Sequence, residues 1–139
     1  MAQKVRDIMT GSPVTLSKDA SIVDAARAMR DNDIGNVIVT DGEHAEGIVT
    51  DRDIVVRGVA EGSDPGSVRL GQVISGELTA VAPDDPVERA IELMRDKAIR
   101  RLPVVQGGKP VGVVSLGDLA IERDPQSALA DISEEPPNR

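Results

Sequence analysis

The chain has 139 residues, enough for one compact domain or two very small ones. Sixteen Lys and Arg against 24 Asp and Glu give a net charge of -8 and an isoelectric point near 4.6, the wrong sign for binding a phosphate backbone or anionic lipid. Apolar residues make up 40% of the chain and none is Phe, Trp or Tyr, so any core is aliphatic and no aromatic platform can stack a base.

There is no cysteine, which removes disulfides, thiol catalysis and thiolate metal sites together. No apolar run approaches the roughly 18 residues needed to span a bilayer, and the first eleven residues are polar and charged. The expectation is a soluble, cytoplasmic protein that binds neither nucleic acid nor membrane.

In chain order the first feature is an internal repeat. Shifting the sequence by 65 positions aligns 5–56 with 70–121 without a gap. Identical pairs include Gly11/Gly76, Met29/Met94, Arg30/Arg95, Gly47/Gly112 and Asp53/Asp118. Each copy opens with a short β-prone segment, Pro13 to Leu16 or Leu78 to Val81. A helix follows, because Ile22, Ala25, Ala26 and Met29, and then Val87, Ala90, Ile91 and Met94, fall at i, i+3, i+4 and i+7. Ser21 with Asp24 marks the first helix start, and Asp85 as cap with Pro86 in the first turn marks the second.

Two apolar runs then flank a turn at Asp41-Gly42 and again at Gly107-Gly108, the pattern of a β-hairpin. His44, the sole histidine, falls in the first of these connections and is read as a surface residue. Last, Thr50-Asp51-Arg52-Asp53 and Ser115-Leu116-Gly117-Asp118 place a hydroxyl three residues before a carboxylate, a capping-box start for a closing helix. The fold class is therefore α/β (α+β), two tandem βαββα repeats about a pseudo-twofold axis. The boundaries are 1–60 for the first repeat, 61–69 for a Gly/Ser/Asp/Pro linker and 70–123 for the second. A C-terminal tail, 124–139, is expected to be partly disordered.

Two such units, each ending in Gly-apolar-apolar-Ser/Thr-x-x-Asp, resemble a CBS-domain pair, the Bateman module. The matching segments are Gly47 to Asp53 and Gly112 to Asp118, with Ile99-Arg100-Arg101-Leu102-Pro103 similar to the basic stretch that leads into a Pro-Val strand in that family. The chain is similar to small stand-alone actinobacterial CBS pairs, some of them stress- or hypoxic-response proteins. This resemblance implies a non-enzymatic regulatory module, usually a homodimer, that binds an adenosyl ligand such as AMP, ADP, ATP or S-adenosylmethionine in clefts between its motifs. It implies no resident cofactor.

By position the resemblance assigns the ribose hydroxyls to Asp53 and Asp118, and the phosphate to Thr50 and Ser115. A carboxylate offers two acceptor oxygens to a vicinal diol, and a helix start offers N–H groups to phosphate. Arg100, Arg101 and Arg52 supply positive charge. Adenine is expected between Val14, Thr15, Leu16, Val37 and Ile38 in one site, and between Thr79, Ala80, Val81, Leu102 and Pro103 in the other. Gly35-Asn36 replaces Arg100-Arg101 in the first copy, so the two sites are expected to be unequal.

The same hydroxyl and carboxylate pairs also serve as plain helix caps, and the two roles are compatible. A ligand-free dimeric stress-response or scaffold protein that acts on a protein target is the alternative reading. No nucleophile-base pair or metal-ligand set can be assembled from the sequence, so neither catalysis nor a metal site is expected.

Overall fold

The computed structural model describes residues 3–74 and 77–123, together with 132 and 134. The expected 124–139 tail falls outside the described residues except for those two positions. The elements are α1 (Val5–Ile8), β1 (Thr10–Gly11), β2 (Thr15–Ser17), α2 (Ile22–Asn32), β3 (Asn36–Asp41), β4 (His44–Thr50) and α3 (Asp51–Asp53), then α4 (Leu70–Val73), α5 (Val87–Lys97), β5 (Arg101–Gln106), β6 (Lys109–Ser115) and α6 (Leu116–Arg123). Two compact units result, one made of 13–78 and the other of 1–12 with 79–139. These are not quite the sequence repeats, because the lead-in helix of each repeat lies in the other repeat's unit.

In the 13–78 unit, β2 runs parallel to β3, and β3 pairs antiparallel with β4. The core holds Ile22, Ala25, Met29, Val37, Val39, Val49 and Ile54, and Leu70 and Val73 of α4 complete it. In the other unit β6 pairs with both β1 and β5. The residues 65 positions on, Val87, Ala90, Met94, Leu102, Val104, Val114 and Leu119, form its core, and Val5 of α1 stands where Leu70 stands in the first. Each fully buried aliphatic side chain contributes about 1.5–3 kcal/mol, so the exchanged helices are structural members of the units they join.

Ser21 caps α2 as the sequence suggests. Its hydroxyl accepts from the Asp24 N–H at 3.1 Å, and the Asp24 carboxylate accepts from the Ser21 N–H at 3.0 Å. The start of α5 differs from the expectation. Pro86 is the N-cap, while Asp85 accepts from the Ala82 N–H at 2.8 Å and so closes the preceding turn. The hairpin turns use glycine where the backbone is left-handed, at Gly42 (φ 62°) and at Gly107 and Gly108 (59° and 83°). Such values suit the tight turns that match strand twist. His44 is exposed at the first position of β4.

The second repeat also lacks its expected strand at 78–81, which is reduced to a single parallel bridge between Val81 and Val104. Proline explains the loss. In the first unit the Ile38 N–H donates to the Val14 carbonyl at 3.0 Å and the Lys18 N–H donates to the Thr40 carbonyl at 2.8 Å. The residues 65 positions on are Pro103 and Pro83. Neither carries an N–H, so both flanking ladder bonds are lost. A short 3-10 turn, Val59–Glu61, runs into the expected linker, which itself holds a second, Pro65–Ser67, capped by Asp64.

Candidate functional site

Each unit carries the same junction, where the hairpin's returning strand runs into its closing helix. In the 13–78 unit, Thr50 ends β4 opposite Asn36, and the Asp51 N–H donates to the Gly35 carbonyl at 3.0 Å. The Thr50 hydroxyl accepts from the Asp53 N–H at 3.1 Å, and Asp53 Oδ2 accepts from the Thr50 N–H at 2.9 Å. In the other unit Ser115 ends β6 opposite Arg101, and the Leu116 N–H donates to the Arg100 carbonyl at 2.8 Å. Ser115 and Asp118 repeat the reciprocal pair at 3.1 and 2.9 Å.

The sequence-assigned residues therefore gather in two sets. Thr50, Arg52 and Asp53 share one turn, and Ser115 and Asp118 share the other, with the backbone of Arg100 and Arg101 beside it across the hairpin. Reciprocal capping consumes one carboxylate oxygen and one hydroxyl lone pair at each junction. It leaves the second carboxylate oxygen, Oδ1, and the hydroxyl proton as the polar groups that can serve a ligand.

The two junctions differ in what surrounds those groups. Asp51 turns its carboxylate onto the Arg52 N–H at 2.9 Å, so the first helix start satisfies its own donor. Arg57 brings its Nε to 3.9 Å from Asp53 Oδ1 and also donates to the Val73 carbonyl at 3.5 Å. At the second junction the positions of Asp51, Arg52 and Arg57 are taken by Leu116, Gly117 and Glu122. Among the described residues no side chain caps the Gly117 N–H there and no cation is paired with Asp118. The roles of Arg57, Asp51 and Gly117 escaped the sequence reading, although comparing positions 51, 52 and 57 with 116, 117 and 122 carried the signal.

The closing helices differ as well. Beyond Asp53 the first continues as a π turn, Ile54–Gly58, while α6 is a regular α-helix. Gly58 allows the close approach, since a Cβ there would lie 2.6 Å from Ile22 Cδ1.

The apolar set divides by strand face. Val14, Leu16, Val37, Val81 and Leu102 belong to or pack against the two cores, so their side chains are committed to packing. Ile38 and Pro103 are buried but lie on the alternate face of their strands, where Thr15 also sits exposed opposite Ile38. Thr79 and Ala80 are half-buried. Among the described residues no group of three His, Cys, Asp or Glu is placed to hold a metal ion. No described helix is long and apolar enough to cross a membrane.

Twin strand-to-helix junctions of this kind, one on each of two repeated helix-and-hairpin units, define a tandem module. The chain belongs to the CBS domain family, whose model matches 5–58 and 70–123. It is 38% identical over 133 residues to the CBS domain-containing protein YhcV of Bacillus subtilis, spanning 93% of this chain and 94% of that one. It is 32% identical over 116 residues to hypoxic response protein 1 of Mycobacterium tuberculosis, spanning 83% and 81%. The crystal structure of a hypoxic response protein with two coordinated zinc ions superposes with a TM-score of 0.78 at 30% identity, covering 86% of this chain and 98% of that one. The CBS pair of MJ0100, solved with 5-methylthioadenosine and S-adenosylmethionine, superposes with a TM-score of 0.81 over 91% of this chain and 100% of that one. At 22% identity that second likeness concerns the fold.

Proposed function

We propose that this CBS pair is a non-catalytic sensor of an adenosyl ligand, and that the Ser115 and Asp118 junction is its principal binding element. The observation that carries this reading is the state of Asp118. One of its oxygens fixes the Ser115 N–H at 2.9 Å, while the other has no hydrogen-bond or ion-pair partner among the described residues, at a junction where Ser115 stands opposite Arg101 in the hairpin. A ribose diol on Asp118 and a phosphate or carboxylate on Ser115, Gly117 N–H and Arg101 use complementary groups. The base would lie on the strand faces turned from the cores, formed by Thr79, Ala80 and Pro103, with Thr15 and Ile38 as the first repeat's counterparts.

Asp53 is the weaker acceptor because Arg57 and Asp51 already serve its junction. Signalling requires that the ligand bind two arrangements of the module unequally, and the output passes to a protein target or to a homodimer partner. AMP, ADP, ATP and S-adenosylmethionine form the test panel, with far-UV circular dichroism as the readout because no Trp or Tyr is present. A ligand at 100 times its Kd adds about 2.7 kcal/mol and raises the melting temperature by several degrees. Asp118→Ala should abolish that rise. Absence of any rise at millimolar ligand, or a rise that survives Asp118→Ala, overturns the assignment. Sedimentation of the purified chain checks the homodimer.

A further inference from the structure

Arg57 joins the first junction to the helix that the second repeat lends to this unit. Its Nε stands 3.9 Å from Asp53 Oδ1, and its Nη1 donates to the Val73 carbonyl at 3.5 Å. Val73 ends α4, a single turn whose closing bond runs from the Ile74 N–H to the Leu70 carbonyl at 3.2 Å. A helix this short opens readily, so a cation on its last carbonyl is a substantial part of what holds that end. From Ile74 the chain runs on to leave this unit after Leu78.

The guanidinium suits a two-way contact. Its planar fork fixes Nε and Nη1 relative to each other, so losing one acceptor loosens the hold on the other. The backbone that carries it is held in place. Gly58 sits so close to α2 that a Cβ there would lie 2.6 Å from Ile22 Cδ1, at the end of the π turn Ile54–Gly58. The side chain is therefore the moving part. The second repeat lacks this arrangement, because Glu122 stands at the position of Arg57 and Ile8 of α1 at that of Val73, and a carboxylate cannot donate to a carbonyl.

We propose that Arg57 is a relay, which reports whether Asp53 is occupied to the end of α4 and so to the stretch of chain that leaves the unit. The relay rests on the reading of Asp53 as a ligand acceptor. With Asp53 unoccupied, the carboxylate steadies the guanidinium against the Val73 carbonyl. A ligand hydroxyl pair on Asp53 Oδ1 removes that anchor, the long side chain regains its rotamers, and the last turn of α4 opens more often. The first junction is thus the regulatory one, although it is the weaker binder.

Native-state hydrogen exchange of the Ile74 N–H, read by NMR on the isotope-labelled full chain, tests this directly. Asp53→Asn keeps an oxygen for the Thr50 N–H but gives up the charge that steadies Arg57. Asp53→Asn and Arg57→Ala should each speed Ile74 exchange by about threefold or more, and the double variant should be no faster than the faster single one. Amides of β5 and β6 should not change. Arg57→Lys should be as fast as Arg57→Ala, since an ammonium keeps the ion pair but lacks the second arm of the fork. Additive single effects, slow exchange in Arg57→Lys, or an unchanged rate in Asp53→Asn would each overturn the relay. Millimolar AMP added to Asp118→Ala should reproduce the Asp53→Asn rate, and should leave the rate in Arg57→Ala unchanged. AMP that shifts the Thr50 and Asp53 resonances without changing Ile74 also overturns the relay. AMP that shifts neither junction in the unaltered protein counts against the sensor reading instead, and the variant cycle still decides the relay.

Discussion

Arg57 holds its guanidinium 3.9 Å from the Asp53 oxygen that helix capping leaves over, and the residue one repeat later is Glu122. The first repeat thus presents an internally neutralised carboxylate, whereas Asp118 in the second has no paired cation among the described residues and has Glu122 in place of the arginine four residues on. A half-exposed i,i+4 pair at 3.9 Å contributes about 0.5 kcal/mol, so its importance is local occupancy rather than stability. Arg57→Ala should change chemical stability by less than that amount. It should also leave binding at the second junction unchanged in calorimetric titration.

Asp53→Ala and Asp118→Ala each remove a reciprocal cap and should lower unfolding free energy by about 0.5–2 kcal/mol in urea titrations followed by circular dichroism. The two variants then part. Asp118→Ala should abolish adenosyl-ligand stabilisation, and Asp53→Ala should keep most of it. Equal ligand responses from the two variants would refute the inequality of the junctions.

Gly112 lies where β1 crosses β6. A Cβ there would meet Met9 Sδ at 2.6 Å and the Thr10 carbonyl oxygen at 2.8 Å, and the latter is backbone that cannot swing aside. Its counterpart Gly47 would place a Cβ 3.4 Å from the Ile74 side chain. Gly112→Ala should therefore cost about 1–3 kcal/mol, while Gly47→Ala costs clearly less. Adding Met9→Ala should not restore the first variant, because the carbonyl contact remains.

The acid limit of stability involves Asp24 and Glu88. The Ser21 N–H, and then its hydroxyl, hold the Asp24 carboxyl below its ordinary value, and the Arg123 guanidinium does the same for Glu88. A carboxyl with a depressed folded-state pKa stabilises the fold above its unfolded value of about 4 and loses that contribution as pH falls through the folded value. Urea midpoints should therefore be flat from about pH 7 to 5 and fall below about pH 4. Ser21→Ala should make the acid fall shallower as well as lowering the plateau.

Much of this architecture is written in local pattern. The 65-residue period, the helical spacing of Ile22, Ala25 and Met29, and the Thr50/Asp53 and Ser115/Asp118 boxes are short-range properties, and the structure contains them at those residues. The loss of the 78–81 strand was legible in principle, since Pro83 and Pro103 stand where the first repeat needs ladder donors. The role of Asp85 was less so. Its carbonyl accepts the Val5 N–H at 2.9 Å, and such a distant partner leaves no trace in neighbouring residues. The exchange of α1 and α4 was illegible for a related reason. Val5 and Leu70 suit either aliphatic core, so periodicity does not say which core each one enters.

That exchange bears on the order in which the protein can be made. The unit 13–78 is one uninterrupted stretch of chain, with all of its core in hand once α4 has left the ribosome. The other unit needs Val5 from the beginning of the chain and Leu119 from near its end. During synthesis α1 therefore waits through about eighty residues for its first partners near Asp85 and through more than a hundred for Leu119, and the earlier-closing unit folds inside a loop that the later one must complete.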